Sequence, residues 1–247
     1  MDRTAPETTI TANPAAATSS TNATFEFTSS EAGTFECKLD SGSYAACASP
    51  KSYTGLSEAS HTFQARATDT AGNVGSPAGY TWTIDTTPPD TTITAHPDAL
   101  TNSATAAFSF TGVGAESFEC KLDSAGYVAC ASPVNYTNLY NGSHTFYVRA
   151  KDAAGNYDPS SASYTWTVDT NPPETTITQW PATPSVGNTA VFTFSSETGA
   201  TFECRLDGAA FATCTSPQNY TGLSDGSHTF QVRAKDAAGN VDPSPAG

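Results

Sequence analysis

The stretch SFECKLDSAGYVACASP, Ser117 to Pro133, decides how this chain is read. Phe118, Cys120 and Leu122 alternate with Glu119 and Lys121, which is the period-two pattern of a strand with one buried face. Ser124, Ala125 and Gly126 form a turn, and Tyr127 to Cys130 runs back. Cys120 and Cys130 sit symmetrically about that turn. They are therefore expected to face each other across a hairpin, close enough for a disulfide. Closing so short a loop contributes about 2.5–3 kcal/mol in the chain-entropy picture.

The same stretch occurs twice more, as TFECKLDSGSYAACASP from Thr34 to Pro50 and TFECRLDGAAFATCTSP from Thr201 to Pro217. The leading cysteines are Cys37, Cys120 and Cys204, so the period is 83 and then 84 residues. That is too long for a solenoid repeat and suits a small domain. Three units follow: 1–86, 87–170 and 171–247. A domain of about 80 residues buries only about 60% of its unfolded surface and gains from a covalent staple. The expected staples are Cys37–Cys47, Cys120–Cys130 and Cys204–Cys214. Every cysteine has a matched partner, which argues against a cysteine nucleophile, and Cys-x9-Cys with no nearby His is not a zinc pattern.

The 247 residues carry a net charge of −14. Nucleic acid and anionic membrane surfaces both call for basic patches, so both are excluded as partners. No run reaches 18 apolar residues, so no membrane-inserting segment is expected. Met1-Asp2-Arg3 opens no hydrophobic leader, yet paired cysteines point to an oxidising compartment. The two are reconciled if this is an excised piece of a longer extracellular or cell-surface protein, with further domains as its neighbours.

The second unit reads as seven strands. Asp90 to Ile93 follows a Pro-Pro, and Ala107 to Phe110 puts both Phe on one face. The cysteine hairpin supplies two more strands, and Asn135 to Thr137 a fifth. The longest runs from His144 to Ala150, with His144, Phe146, Val148 and Ala150 inward and Tyr147 and Arg149 outward. Tyr164 to Val168 closes the unit. Seven short strands with turn signals between them predict an all-β, antiparallel sandwich. The third unit stops at Gly247, before its Tyr-x-Trp strand, so it is expected to lack the last strand. Glu36 with Arg66, Glu119 with Arg149, and Glu203 with Arg233 should pair on the outer face of adjacent strands.

The run Gly142-Ser-His-Thr-Phe-x-Val-Arg-Ala-Lys-Asp-Ala-Ala-Gly-Asn156, repeated at Gly226 to Asn240, resembles the penultimate strand and last loop of bacterial Ig-like and fibronectin type III-like modules. The linkers, Asp85-Thr-Thr-Pro-Pro-Asp90 and Asp169-Thr-Asn-Pro-Pro-Glu174, are similar to those of tandem arrays on bacterial surface proteins. The resemblance covers all three units and speaks to fold more than function. Fibronectin-like topology implies that the last loop, the loop after the Phe-x-Phe strand and the incoming linker meet at one pole. Asp85, Asp90, Glu116, Asp152 and Asn156 would then gather at the first junction. Asp169, Glu174, Glu197, Asp236 and Asn240 would gather at the second. Calcium takes six to eight oxygens at flexible spacing, so interdomain calcium is one reading of these residues; the other is that Asp and Asn simply suit turns, with no cofactor.

Other residues are weighed against structural roles. His61, His144 and His228 hold one repeated position, where a ring N–H bonding backbone is the expected role. Tyr53, Tyr136 and Tyr220, with Tyr44, Tyr127 and Phe211, would bind surface glycans if they formed an exposed row. Trp180 has no counterpart in the other units and is placed at the junction. No Gly-x-Ser-x-Gly elbow and no phosphate-cradling loop occur, and the chain reads as non-enzymatic. The expected function is a stalk that spaces other modules. Its rivals are a carbohydrate-binding array and a fibre subunit that self-associates by strand exchange into the incomplete third unit.

Overall fold

The computed structural model describes residues 2–247; Met1 lies outside them. The alternating sequence produces strands throughout, and no helix forms among the described residues. The first module contains β1 (Thr8–Ala12), β2 (Ala17–Thr18), β3 (Ala23–Ser29), β4 (Gly33–Leu39), β5 (Ala45–Cys47), β6 (Lys51–Tyr53), β7 (Ala59–Asp69) and β8 (Ala78–Ile84). The second repeats it with β9 (Asp90–Ala95), β10 (Leu100–Thr101), β11 (Ala106–Val113), β12 (Ser117–Leu122), β13 (Val128–Cys130), β14 (Val134–Tyr136), β15 (Gly142–Lys151) and β16 (Ala162–Val168). The third has β17 (Thr176–Gln179), β18 (Thr189–Ser195), β19 (Thr201–Leu206), β20 (Ala212–Cys214), β21 (Gln218–Thr221) and β22 (Phe230–Lys235).

In each complete module a three-stranded sheet faces a five-stranded one. Their orders are β1-β3-β6 and β2-β8-β7-β4-β5, repeated as β9-β11-β14 and β10-β16-β15-β12-β13. Seven strands form the expected antiparallel sandwich. The eighth is the two-residue β2 or β10, which runs parallel to the last strand. It was not expected, because two residues carry no periodicity. It arises where the chain leaves the first strand and crosses to the opposite sheet. In the first module the Tyr80 hydroxyl marks this crossing by donating to the Pro14 carbonyl at 2.9 Å.

The inward residues are those the alternation selects. In the second module Phe108 stacks on Phe146 with ring centroids 4.2 Å apart, and Trp166 lies 5.1 Å from Phe108. His144, Phe146, Val148 and Ala150 are all buried along β15. Burying such aromatic side chains removes roughly 150–250 Å² each from water and dominates a core this small. Outside, Glu119 lies directly across from Arg149 and accepts from its guanidinium at 2.6 and 2.9 Å. The matching pairs in the other modules sit at 2.7 Å, so the expected strand order holds in all three.

The three disulfides form as expected, with Cα–Cα distances of 5.8, 5.8 and 5.7 Å. Their register is diagonal rather than face to face. Cys37 lies opposite Ala45, while Cys47 lies opposite Phe35. The turn accounts for the shift. Asp40, Asp123 and Asp207 take the left-handed conformation at φ 51°, 53° and 53°, which Asp tolerates better than most residues.

The third module lacks its last strand. Its sheet is reduced to β20-β19-β22, and only an isolated bridge, Val232 to Ala246, begins the missing strand. That bridge matches the Val148–Ala162 pairing of the second module. No tryptophan seals this core, and Phe192 stays partly exposed where Phe108 is fully buried.

Candidate functional site: the module junctions

The loop Asp152 to Asn156 is closed on itself. Asp152 Oδ1 accepts the Asn156 amide at 2.8 Å, and Oδ2 accepts Asn156 Nδ2 at 2.8 Å. Gly155 turns the chain at φ 93°, where a side chain would be strained. Burial pushes the Asp152 carboxyl up, but the Asn156 side chain and the loop amides outweigh this and hold it below the usual carboxylate range. Asp236 shows the same balance with Asn240.

This closed loop holds the incoming linker. The second hydrogen of Asn156 Nδ2 is donated to the Asp85 carbonyl at 2.8 Å. Asn240 does the same to the Asp169 carbonyl, also at 2.8 Å. Both amide hydrogens of each asparagine are thus committed, one to its own loop and one to the linker. The arrangement recurs at the chain's first described residues, where Asn73 Nδ2 donates to the Asp2 carbonyl at 3.3 Å.

The module before the linker holds it as well. Glu58 accepts the Thr86 amide at 3.2 Å, the Thr87 hydroxyl at 2.7 Å and the Thr86 hydroxyl. At the second junction Asn141 replaces Glu58 and accepts the Thr170 amide at 3.0 Å and hydroxyl at 2.7 Å. Asp85 and Asp169 extend the last strand by donating their amides to Thr18 and Thr101. Their carboxylates cap the amides of Thr87 and Asn171. Among the described residues, one backbone bridge joins the first and second modules directly: the Ser19 amide donates to the Ala154 carbonyl at 3.2 Å.

Of the residues expected at the first junction, Asp85, Asp152 and Asn156 meet by hydrogen bonds. Glu116 borders a shallow hollow with Asp152, its amide donating to the Lys151 carbonyl. Asp90, at the start of β9, pairs with Val113 on β11. At the second junction Asp169, Asp236 and Asn240 meet in the same way. The Glu174 carbonyl accepts the Ser196 hydroxyl, and the Glu197 carbonyl accepts the Ala200 amide. Among the described residues, the one group of three acidic ligands within mutual reach is Asp2, Glu31 and Asp69 in the first module. Asp69 spends its carboxylate on the Ala71 and Asn73 amides and on Asn73 Nδ2. Asp152 and Asp236 likewise aim both oxygens at N–H donors rather than at a common centre.

The histidines take the structural role expected of them and one more. His144 Nε2 lies 2.9 Å from the Tyr140 carbonyl, and Nδ1 lies 2.9 Å from Asp123. Both neighbours are acceptors, so the ring satisfies both only when both nitrogens carry hydrogen. Burial pulls the His144 pKa down, but the bonds to Asp123 and Tyr140 outweigh it and hold it above the usual value. His61 is raised by Asp40 and then the Ser57 carbonyl; His228 is raised by the Ser224 carbonyl and then Asp207. The signal was the Leu-Asp repeated in every hairpin turn.

Tyr53, Tyr136 and Tyr220 do not form an outer row. They pack edge-on against Phe63, Phe146 and Phe230 at 6.1, 5.9 and 5.9 Å. Trp180 is 65% exposed and rims the open flank of the third module, beside Ile177, Phe192 and Ala246.

No family model matches the chain. Exoglucanase B of Cellulomonas fimi is 34% identical over 221 residues, covering 78% of this chain and 20% of that protein. Chitinase A1 of Niallia circulans is 41% identical over 112 residues, covering 40% of this chain and 16% of that protein. The chain thus spans a fifth or less of the length of these relatives. Among solved structures, fibronectin(III)-like modules of Clostridium thermocellum CbhA align at 16% identity and a TM-score of 0.44, over 66% of this chain and 94% of theirs. A segment of a 1.5-MDa bacterial ice-binding adhesin aligns at 14% identity and a TM-score of 0.42, over 98% and 96%.

Proposed function

We propose that this chain is a non-catalytic spacer of an extracellular protein, holding the modules on either side of it at a set separation. The observation that carries this reading is the two-sided grip on each linker. Asn156 and Asn240 hold it from the following module, and Glu58 and Asn141 from the preceding one. A linker built only for reach would leave its backbone to water. Pro88-Pro89 and Pro172-Pro173 stiffen the same segments by fixing φ. The disulfide in each module suits an oxidising compartment. The relatives named Exoglucanase B and Chitinase A1 are matched over a fifth or less of their length, as a stretch of a longer multidomain protein would be.

Small-angle scattering of the full chain tests the reading. A spacer should give an elongated particle with a maximum dimension on the order of 100–130 Å, from strands of about 7 residues plus loops in each module. Replacing both Asn156 and Asn240 by Ala should broaden the distance distribution while leaving each module folded. A compact particle, or a distribution indifferent to both substitutions, would count against it.

A further inference from the structure

The outer face of the second module's five-stranded sheet carries an arrangement its sister modules lack. The Arg149 guanidinium lies between two rings, 4.2 Å from the centroid of Tyr127 and 4.5 Å from that of Tyr157. Lys121 Nζ lies 5.0 Å from Tyr127 and 4.4 Å from Tyr147. Lys151 Nζ lies 5.1 Å from Tyr157. Strand register builds this ladder. Lys121 is directly across from Tyr147, and the bridge from Lys151 to Tyr157 brings the last ring alongside.

A single ring against the arginine occurs in every module, as Tyr44, Tyr127 and Phe211. That recurring stack is explained by sheet stability, since an exposed cation–π contact contributes about 0.5–1 kcal/mol. The added rings are not needed for the fold. Where the second module has Tyr147 and Tyr157, the first has Gln64 and Val74 and the third has Gln231 and Val241. Both manage the same sheet without them.

The charge of this face also runs against the chain. Glu119 pairs with Arg149, and Lys121 and Lys151 are left without a carboxylate within ion-pair distance among the described residues, in a chain of net charge −14. Beside the ladder, the hydroxyls of Thr145 and Thr165 bond each other at 2.9 Å, giving a row of small polar groups. Sugar rings present C–H faces that suit the negative face of a phenol, and carboxylates suit ammonium groups.

We propose that this face binds an anionic polysaccharide, with sugar rings stacking on Tyr147 and Tyr157 and acidic groups meeting Lys121 and Lys151. The proposal does not depend on the spacer reading. Native gel electrophoresis of the full chain tests it, in gels containing polygalacturonate, gels containing dextran, and blank gels. Polygalacturonate should retard the protein and dextran should not. The double variant Tyr147→Gln, Tyr157→Val borrows residues that the sister modules already tolerate. It should bind on the order of tenfold more weakly, which corresponds to about 1.4 kcal/mol for the two stacks together. Lys151→Thr, the residue of the first module, should weaken retardation by polygalacturonate. Equal mobility in polygalacturonate and blank gels would overturn the proposal. So would retardation unchanged in the double variant, or equal retardation by dextran. Wild-type dimers in sedimentation that the double variant abolishes would assign the face to a second copy instead, and would also overturn it.

Discussion

Asp158 Oδ2 accepts the buried amide of Thr91 at 2.9 Å, and the Thr91 hydroxyl in turn accepts the amide of Ala150 at 2.8 Å. One side chain thereby ties the first strand of the module to its last loop and, through Thr91, to its longest strand. The third module repeats the chain of bonds with Asp242, Thr175 and Ala234. Replacing Asp158 by Ala leaves a buried amide without its partner, which costs about 1–3 kcal/mol. Thermal melting should show the loss. Hydrogen exchange should show it concentrated at Thr91.

The first module is built differently at this point, and the reverse substitution should fail there. Gly75 stands where the other modules have Asp. A Cβ at Gly75 would lie 2.0 Å from the Pro6 carbonyl oxygen. Gly75→Asp should therefore lower the melting temperature rather than add a clamp, although Thr8 still accepts the Ala67 amide as its counterparts do. A gain in stability would mean that the opening segment moves aside readily.

The histidine pairs set the alkaline side of stability. A histidine whose folded pKa is raised contributes fully below its unfolded value of about 6.5, and the contribution disappears as pH rises through the folded pKa. The depressed aspartates Asp152 and Asp236 work in the opposite sense. Their contribution is present above about 3.9 and is lost as pH falls through their lower folded values. Melting temperature should therefore be highest between about pH 4 and 6.5 and decline on either side. His144→Gln should flatten the alkaline decline, because the titrating ring is gone. An unchanged alkaline slope would place its cause elsewhere.

Chelation separates calcium from hydrogen bonding at the junctions. Asp152 and Asp236 already satisfy both oxygens with N–H donors. The melting curve should then be the same with and without a chelator. A fall in melting temperature on chelation, restored by added calcium, would show that an ion holds the junction.

The open side of the third module should accept the strand it lacks. Replacing Gly247 by Ser-Tyr-Thr-Trp-Thr-Val, the sequence of residues 163–168, continues the strand in register from Ala246, which bridges Val232 as Ala162 pairs with Val148. It would supply the tryptophan absent from that core and cover Phe192 and His228. The extended protein should melt at a higher temperature, with protection from exchange gained along β22. No change in either would show that the groove is shaped differently from those of its sisters.

Strand alternation was legible because each face has its own environment: Phe, Val and Trp point inward while Glu, Arg and Thr point out. The Glu119–Arg149 pairing followed from that alternation. The contacts that alternation does not display act through distance or through backbone. Asp123 lies 21 positions before His144 and is joined to it only by the hairpin. The catch on Asp85 uses its main-chain carbonyl, which no side-chain pattern displays. The diagonal disulfide depends on the turn, where a left-handed Asp lets each cysteine sit two positions from the residue directly opposite its partner, on the same face of the sheet.

Because the first and second modules each carry an asparagine that grips the segment before them and an acceptor for the linker after them, both kinds of joint contact travel within a single repeat. A copied module arrives with its own connectors. Length is then a number of units rather than a new design. The swap of Glu58 for Asn141 shows that the two halves need only fit in kind, which leaves room for the array to grow or shrink by whole modules while every joint keeps the same form.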